Sequence, residues 1–484
     1  MNLKHTWQFT DRLKGIQTYL VLAVLFVVVH LLYSAFGVEM TGPVAWDWHL
    51  IDRPLLEDRL LESLFYLHTQ PPLWNLFVAI YFCIHTTYQS MFAASMFLLL
   101  GFASYCSVFS LLRFMGIPKS LAVLSATVFM ASPTFVLLEH VVGYDFPIMA
   151  LVTISIVILW KFFERPSYIR ALLFFSIIAV TCLTRSLFHL TYFLVMVGSI
   201  ALMNRGSLKT VLLAALPGFA LVFSVYVKNY LVFDRFTAST WMGMNAAKVV
   251  VRSAPLEERE RWHEEGIVSE TMLIDPWSEV SQYPERLRTI PERFQDIPLL
   301  SKTSKDDGYK NLHNVAYIRI ADQYLVDVVR VVQHEPFEYL RGLASAWYCY
   351  LRGTDESEFL PGRNLCEPLI DAYDYVLYGK SPWPIHYATD RKGTYNLYVF
   401  LLIGLPALFV YGVMLAKKGG LSPNQKKLVV VMLINIAFVA LTINFFELAE
   451  NQRARFYTDS FSLILLTNVI HERLWKKAKR ASLR

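Results

Sequence analysis

The sequence is poor in charged residues. Of its 484 residues only 17% are Asp, Glu, Lys or Arg, whereas 55% are hydrophobic, and the mean hydropathy is +0.40. Soluble globular domains carry about a quarter charged residues, so this class is excluded. Intrinsic disorder is excluded as well, because it requires low hydrophobicity and high charge. Long apolar runs recur along most of the chain, and they predict a polytopic membrane protein.

Cysteine is also scarce. The five cysteines form no CxxC pair and have no histidine at metal-ligand spacing, so a zinc or redox centre has no support and we predict no metal site. Cys83, Cys106 and Cys182 lie in apolar runs and are interpreted as small core residues. Cys349 and Cys366 lie in a long hydrophilic region, where a disulfide is possible if that region is extracytoplasmic.

Eleven apolar runs are candidates for membrane helices. They lie at residues 17–36, 72–87, 91–113, 120–138, 146–163, 170–184, 187–203, 210–228, 396–416, 427–446 and 457–471. Basic residues at both ends of the chain place both termini in the cytoplasm. Two cytoplasmic termini require an even number of crossings, so we predict ten, with the short run at 72–87 re-entrant or at the outer interface. A full eleventh crossing is the alternative.

The same charge rule divides the chain into three parts. We predict an N-terminal membrane module at 1–228, with a first outer loop at 37–71, and C-terminal membrane helices with a basic tail at 396–484. The region 229–395 between them is predicted to be extracytoplasmic. Within it, the stretch 312–351 has helical spacing and many aromatic residues, which predicts a long helix on the membrane surface.

The first outer loop carries carboxylates beside tryptophans and before a Pro-Pro pair, which suits a site at the boundary of lipid and water. Glu57, Asp58 and Glu62 are better explained as the solvated face of an amphipathic helix. For Asp47 and Asp52 we favour a function.

The string HTQPPLWNLF at 68–77 resembles the His-Pro-Pro-Leu element that follows the first outer loop in the GT-C superfamily. These integral-membrane glycosyltransferases use polyprenyl-phosphate sugars, and they include the protein O-mannosyltransferase and aminoarabinose transferase branch. The resemblance implies an all-α bundle of about ten to eleven transmembrane helices with outer-face loops. It also implies an acidic catalytic residue in the first outer loop, for which Asp52 has the better spacing and Asp47 is the runner-up. His68 and Gln70 become candidates for substrate binding, with His68 orienting Asp52 or the phosphate.

Two further candidates lie beside later apolar runs. The string HVVGYDFPIMALV at 140–152 resembles the second outer loop of the family, where an Asp opens the next helix, and Asp145 has that position. A helix N-cap is an equally good explanation of Asp145, and the two are compatible. Arg185 lies between two apolar runs on the predicted outer side, where a guanidinium suits a phosphate. The alternative is an arginine that reaches lipid headgroups.

The last predicted outer turn carries two arginines against the positive-inside trend. The string ELAENQRARFY at 447–457 resembles the Glu and Arg element that precedes the final helix of many such enzymes and faces the carrier lipid. Arg453 and Arg455 are therefore predicted to bind substrate. Pairing with Glu447 or Glu450 is the alternative.

The resemblance implies a glycosyltransferase in the plasma membrane, inner membrane or endoplasmic reticulum. It would move a sugar from a polyprenyl-phosphate carrier to a hydroxyl of a glycan, lipid or protein on the extracytoplasmic or lumenal face, with inversion. Asp52 would accept the hydroxyl proton, and arginines would hold the leaving phosphate. The scheme requires no divalent cation, although Asp47 and Asp145 could hold one.

Other classes of function make different predictions. Because the basic residues cluster at segment ends, they indicate topology and no nucleic-acid partner. A transporter or lipid flippase is the main alternative, but such proteins often show inverted repeats and charges deep in the membrane, and this sequence has neither signal. A non-catalytic scaffold would leave the predicted outer Asp and Arg residues without a purpose.

Overall fold

The computed structural model describes residues 3–43, 48–353, 360–386, 394–417 and 420–475. Within these residues the chain is almost entirely helical, with a single two-stranded sheet. Each of the eleven apolar runs is largely helical. The protein is therefore an all-α, multi-pass integral membrane protein, as the sequence predicts.

The N-terminal part consists of apolar helices with two short helices in the first hydrophilic loop. Its helices are α1 (Leu3–Ala35), α2 (Arg53–Asp58), α3 (Leu60–Tyr66), α4 (Leu73–Cys83), α5 (Thr86–Phe114), α6 (Lys119–Met130), α7 (Pro133–Glu139), α8 (Asp145–Glu164), α9 (Tyr168–Thr184), α10 (Leu190–Met203) and α11 (Leu208–Phe233). A bend of 57° separates α6 from α7. Pro133 cannot donate a hydrogen bond to α6, and the Ser132 hydroxyl caps α7 by accepting from the backbone N–H of Phe135.

The hydrophilic region contains short helices and the sheet. Its elements are α12 (Met242–Val251), α13 (Leu256–Glu264), α14 (Glu285–Arg288), α15 (Pro298–Ser301), α16 (Ala316–His334), α17 (Pro336–Tyr350), α18 (Glu367–Tyr373) and the antiparallel strands β1 (Lys380–His386) and β2 (Thr394–Tyr398). The C-terminal helices are α19 (Val399–Lys417), α20 (Pro423–Phe446) and α21 (Asn451–Ile470). Short 3₁₀ turns lie at Arg205–Ser207, Glu270–Leu273, Val280–Gln282, Glu292–Phe294 and Arg363–Leu365, and π turns at Asp374–Tyr378 and His471–Trp475.

Helix length separates full membrane spans from shorter apolar helices. Among the described residues, α1, α5, α8, α19, α20 and the segment Arg205–Phe233 are long and apolar enough to cross a membrane, and the bent pair of α6 and α7 would make a seventh span. With 11 residues, α4 is about 16 Å long, roughly half of a bilayer core of about 30 Å. This length agrees with a run that does not cross. Because α9 and α10 have only 17 and 14 residues, the total of ten or eleven crossings stays a prediction.

The bundle is organised around α8, which packs against α5, α9, α20 and α21. Its inward side chains belong to one continuous apolar core. Peripheral helices instead leave large apolar side chains uncovered, such as Leu31 on α1 at 64% and Ile403 on α19 at 65% exposure. Such exposure is costly in water but favourable against lipid, so these faces are the lipid-facing surface.

The hydrophilic region has a second, aromatic-rich core, which includes Trp241, Trp262 and Tyr324. The prediction of a single long helix at 312–351 is wrong in one respect. The segment forms two helices, α16 and α17, which are separated at Glu335. Glu335 precedes Pro336 and has φ −130° and ψ 56°, as expected for a residue that proline excludes from the helical conformation. The alternative of a disulfide is also not realised, since Cys349 and Cys366 are separate free thiols.

Candidate functional site

Asp145, the first residue of α8, lies at the centre of a group of charged side chains. Nη1 of Arg185 lies 3.4 Å from Oδ1 of Asp145, and Nε of Arg453 lies 3.2 Å from Oδ2. The Tyr457 hydroxyl donates a hydrogen bond to Oδ1. These three charged side chains are only 11–15% exposed. We call Asp145, Arg185, Arg453, Tyr457 and the neighbouring Tyr144 the Asp145 cluster.

Three separate parts of the chain build the Asp145 cluster. Asp145 starts α8, Arg185 follows the last residue of α9, and Arg453 lies in the first turn of α21. Both α9 and α21 pack against α8, which brings these helix ends together. The N-cap of α8 is Tyr144, so Asp145 lies in the first turn, where a carboxylate also interacts favourably with the helix dipole.

Tyr144 acts as a platform for both guanidinium groups. The Arg185 guanidinium carbon lies 4.5 Å from the centre of the Tyr144 ring, and that of Arg453 lies 5.9 Å from it. Nη2 of Arg453 also donates to the Tyr144 hydroxyl at 2.9 Å, and its Nη1 pairs with Glu450 at 2.6 Å. Arg453 is thus engaged with two carboxylates. Arg185 has five N–H donors, and Asp145 accepts from one of them.

His49 extends the Asp145 cluster towards the hydrophilic region, and the sequence interpretation missed it. Its ring centre lies 5.1 Å from that of Tyr144 and 5.5 Å from that of Trp241. Burial, together with the positive charges of Arg185, Arg453 and the nearby Lys305, holds the pKa of His49 well below its usual range, so the imidazole is neutral. The sequence signal that could have indicated His49 is its position between Trp48 and Asp52, the candidate base.

Gln70 and Asp52 occupy different positions relative to the Asp145 cluster. The Gln70 side-chain oxygen accepts from the backbone N–H of Ser186 at 3.4 Å, which links its loop to the residue after Arg185. Asp52 is 8% exposed and accepts from the backbone N–H of Asp306 at 3.0 Å. Burial raises the pKa of Asp52. Since Lys305 precedes Asp306, the same loop faces both His49 and Asp52.

His68 is completely buried and joins the first loop to the hydrophilic region. Its ring nitrogens bond the Thr240 hydroxyl at 2.7 Å and the His313 carbonyl at 2.9 Å. The His313 ring in turn bonds Thr69 and the Leu50 carbonyl. Burial lowers the pKa of both histidines to about 3, so both are neutral. This is the pattern of a structural link.

The remaining predicted site residues lie elsewhere. The Arg455 side chain is 2% exposed, donates to the carbonyl of Tyr350 at 2.7 Å and to that of Arg352, and pairs with Asp459 at 3.2 Å. Asp47, which was also considered as a cation ligand with Asp145, lies outside the described residues.

No family profile matches the sequence, and neither does any curated protein sequence. A solved structure of the archaeal oligosaccharyltransferase AglB from Archaeoglobus fulgidus, in complex with an inhibitory peptide and a dolichol-phosphate, is similar at 11% identity and a TM-score of 0.41. The similarity covers 95% of this chain and 52% of that protein, so the chain spans about half its length. At this level the similarity carries no conclusion about function.

Proposed function

We propose that the protein is a membrane glycosyltransferase that takes its sugar from a polyprenyl-phosphate carrier. The observation that carries the proposal is the Asp145 cluster, in which Arg185 and Arg453 converge on the first turn of α8, a helix of membrane-spanning length. A lipid phosphate needs this combination, because its charge requires guanidinium donors while its chain stays in the bilayer. Lys305 beside His49 adds a third positive charge.

Within this proposal, Arg185 binds the donor phosphate. Its contact with Asp145 is a single one at 3.4 Å, longer than an ideal charge-assisted hydrogen bond, and Tyr144 supports the flat face of the guanidinium. The contacts of Arg453 with Asp145 and Glu450 hold that guanidinium in place. The phosphate gains negative charge as the sugar–oxygen bond breaks, so fixed donors in a buried site stabilise the transition state more than the ground state.

Asp52 is the proposed base for the acceptor hydroxyl. The acceptor oxygen forms the new bond to the anomeric carbon, its proton passes to the Asp52 carboxylate, and the carrier phosphate leaves with the electron pair of the broken bond. A pKa raised by burial makes this carboxylate a better proton acceptor than an exposed one. The backbone N–H of Asp306 fixes its orientation by bonding one oxygen. Asp47 is the alternative base in the same loop.

The proposal is tested by sugar transfer from radiolabelled polyprenyl-phosphate sugars with the purified protein. We expect transfer by the wild type and a loss of about 100-fold or more in Asp52→Asn, which keeps the shape but removes the base. Asp58→Asn, an exposed carboxylate in the same loop, is the matched control and is expected to retain activity. Retained activity in Asp52→Asn with loss in Asp47→Asn would transfer the role of base to Asp47. Failure with every polyprenyl donor would favour a transporter or flippase.

A further inference from the structure

A second polar group, which shares no residue with the Asp145 cluster, lies inside the bundle. It consists of His30 on α1, Glu139 at the end of α7 and His140, the next residue. One side-chain nitrogen or oxygen from each residue lies within 4.8 Å of the others. Glu139 is completely buried, and the surroundings are apolar, with the Phe26 ring centre 4.0 Å from that of His30. Nothing in the proposed transfer reaction uses these side chains.

The hydrogen bonds of the two histidines fix which ring nitrogen is available. Nδ1 of His30 bonds the carbonyl of Phe26 at 2.7 Å, and Nδ1 of His140 bonds the carbonyl of Val136 at 2.8 Å. A carbonyl can only accept, so each Nδ1 carries a proton, and a neutral ring then has its lone pair on Nε2. Metal-binding histidines are oriented in this way, by donating the other ring N–H to a carbonyl or carboxylate.

A positive centre is required between His30 and Glu139. Nε2 of His30 lies 2.5 Å from Oε2 of Glu139, although a neutral ring presents a lone pair there to a carboxylate oxygen. A shared proton accounts for this separation, whereas a metal ion bound by both atoms would hold them about 3.4 Å apart. A shared proton leaves Oε1 of Glu139 buried, and among the described residues this oxygen has no hydrogen-bond partner. An unpaired buried oxygen is costly, whereas a cation within reach of the carboxylate compensates it.

The neighbouring helix leaves room for this carboxylate. A Cβ atom at Gly101 on α5 would lie 1.7 Å from Oε1 of Glu139, so any other residue would displace it. The Glu139 carboxylate is the nearest group to this glycine, and the Phe146 ring follows at 3.3 Å. Two imidazoles and one carboxylate form a ligand set that binds zinc and similar divalent ions while leaving a coordination position open.

We propose that His30, Glu139 and His140 bind one divalent transition-metal ion of the zinc class. The site is independent of the proposed transfer activity. Coordination at about 2.0–2.2 Å requires Nε2 of His30 and Oε2 of Glu139 to move apart by about 1 Å. It also requires any of the ligand atoms that are farther apart, within the 4.8 Å that limits the group, to approach to about 3.4 Å. The sequence could not indicate the site, because His30 lies 109 residues before Glu139.

The test is metal binding by the tag-free, detergent-purified protein. The protein is first treated with a chelator, then incubated with Zn²⁺ or Co²⁺ and freed of unbound metal. We expect one Zn²⁺ per chain by elemental analysis, and visible absorption of bound Co²⁺ with the intensity typical of four- or five-coordinate ions. Glu139→Gln and His140→Ala should each weaken Zn²⁺ binding by more than about 100-fold. His189→Ala is the matched control, since this half-buried histidine contacts Phe438 and lies outside the group.

Two results would overturn the proposal. One is a wild-type protein that retains no stoichiometric Zn²⁺, which would make His30 and Glu139 a proton-sharing pair. The other is binding that persists unchanged in Glu139→Gln or His140→Ala, which would locate the ion elsewhere. The first measurement uses only the wild-type protein, so it decides even if the variants fail to fold.

Gly101→Ala, which leaves all three ligands in place, should also weaken binding by displacing the carboxylate.

Discussion

Two arginines at the start of α21 lie two residues apart and have opposite environments. Arg453 belongs to the Asp145 cluster, where its side chain is 15% exposed and contacts Asp145, Glu450 and Tyr144. Arg455 points to the other side of the helix, is 2% exposed, and ends on two backbone carbonyls and Asp459. Sequence resemblance assigned both to the substrate. The structure separates a partly open charged group from a closed one.

The two environments differ in the partners of the charged side chains and in how much of each side chain stays exposed. The carbonyl oxygens bonded by Arg455 belong to the end of α17 and the residues just after it, so this arginine fastens the hydrophilic region to α21. In the Asp145 cluster the charges belong to helix ends that meet, and part of each side chain stays accessible. A buried charge with internal partners stabilises the structure by holding elements together, whereas a partly exposed guanidinium can exchange a partner for a ligand.

The largest expected effect is on stability, from Arg455→Ala. The substitution leaves Asp459 and two carbonyls without their partner, so we expect a loss of about 3–5 kcal/mol in the free energy of unfolding. Thermal unfolding in detergent is the measurement. Arg235→Ala is the control, because Arg235 pairs with Asp322 at an exposed site and should cost about 1 kcal/mol or less. Equal effects of Arg455→Ala and Arg235→Ala would mean that Arg455 is not a buried charge that holds α21 to the hydrophilic region.

The next largest effect is on activity, from Arg185→Ala. Removal of the proposed phosphate ligand should reduce sugar transfer by about 10²–10³-fold, as for other donors to a developing negative charge. The unfolding temperature should change far less than in Arg455→Ala, because Arg185 makes one long contact with Asp145. Arg185→Lys keeps the charge without the planar fork and should lie between. Full transfer by Arg185→Ala would contradict the proposed role of this residue.

The sequence predicts the membrane helices better than the other elements of the fold, because their compositional signal is stronger. Helix positions followed from long apolar runs, because a helix in lipid must satisfy its own backbone and therefore has a strong compositional signature. The strands β1 and β2 and the break at Glu335 were not predicted. Pro336 was visible, but the aromatic spacing of 312–351 was given more weight than the proline.

The site was predictable only in part. Asp145, Arg185 and Arg453 were chosen separately, and the structure brings them together. A single sequence does not show that Arg455 points away, since this depends on where α17 ends. His49 was missed because its importance comes from neighbours in other segments, as with His30 and Glu139.

The buried histidines that link the first loop to the hydrophilic region should make the free energy of unfolding depend on pH. His68 and His313 are neutral in the folded protein with pKa values of about 3, whereas the unfolded chain has the ordinary value of 6.5. Below pH 6.5 the unfolded chain binds protons that the folded protein does not, so stability is complete above pH 6.5 and falls between pH 6.5 and about 3. Each histidine should contribute roughly 1.4 kcal/mol per pH unit in that range.

Unfolding at pH 7.5 and 5.5 measures this slope. His313→Gln should reduce the slope, whatever its effect on stability at pH 7.5, because one titrating group is removed. His263→Gln, at an exposed position, should leave the slope unchanged. A wild-type protein with equal stability at both pH values would mean that these histidines are not the neutral, buried link described above.

The smallest effect tests whether Asp52 is the base, through its neighbour Asp306. The negative charge of Asp306 helps to raise the pKa of Asp52, in addition to burial, while the hydrogen bond between the two residues comes from the backbone N–H of Asp306. Asp306→Asn therefore keeps that bond and removes the charge. We expect transfer at pH 7 within about twofold of the wild type, and an acid limb of the pH–rate profile that moves to lower pH. Asp322→Asn is the control and should leave the acid limb in place, since Asp322 pairs with Arg235. An acid limb that does not move in Asp306→Asn would indicate that the group titrating in the reaction is not Asp52, even if Asp52→Asn is inactive.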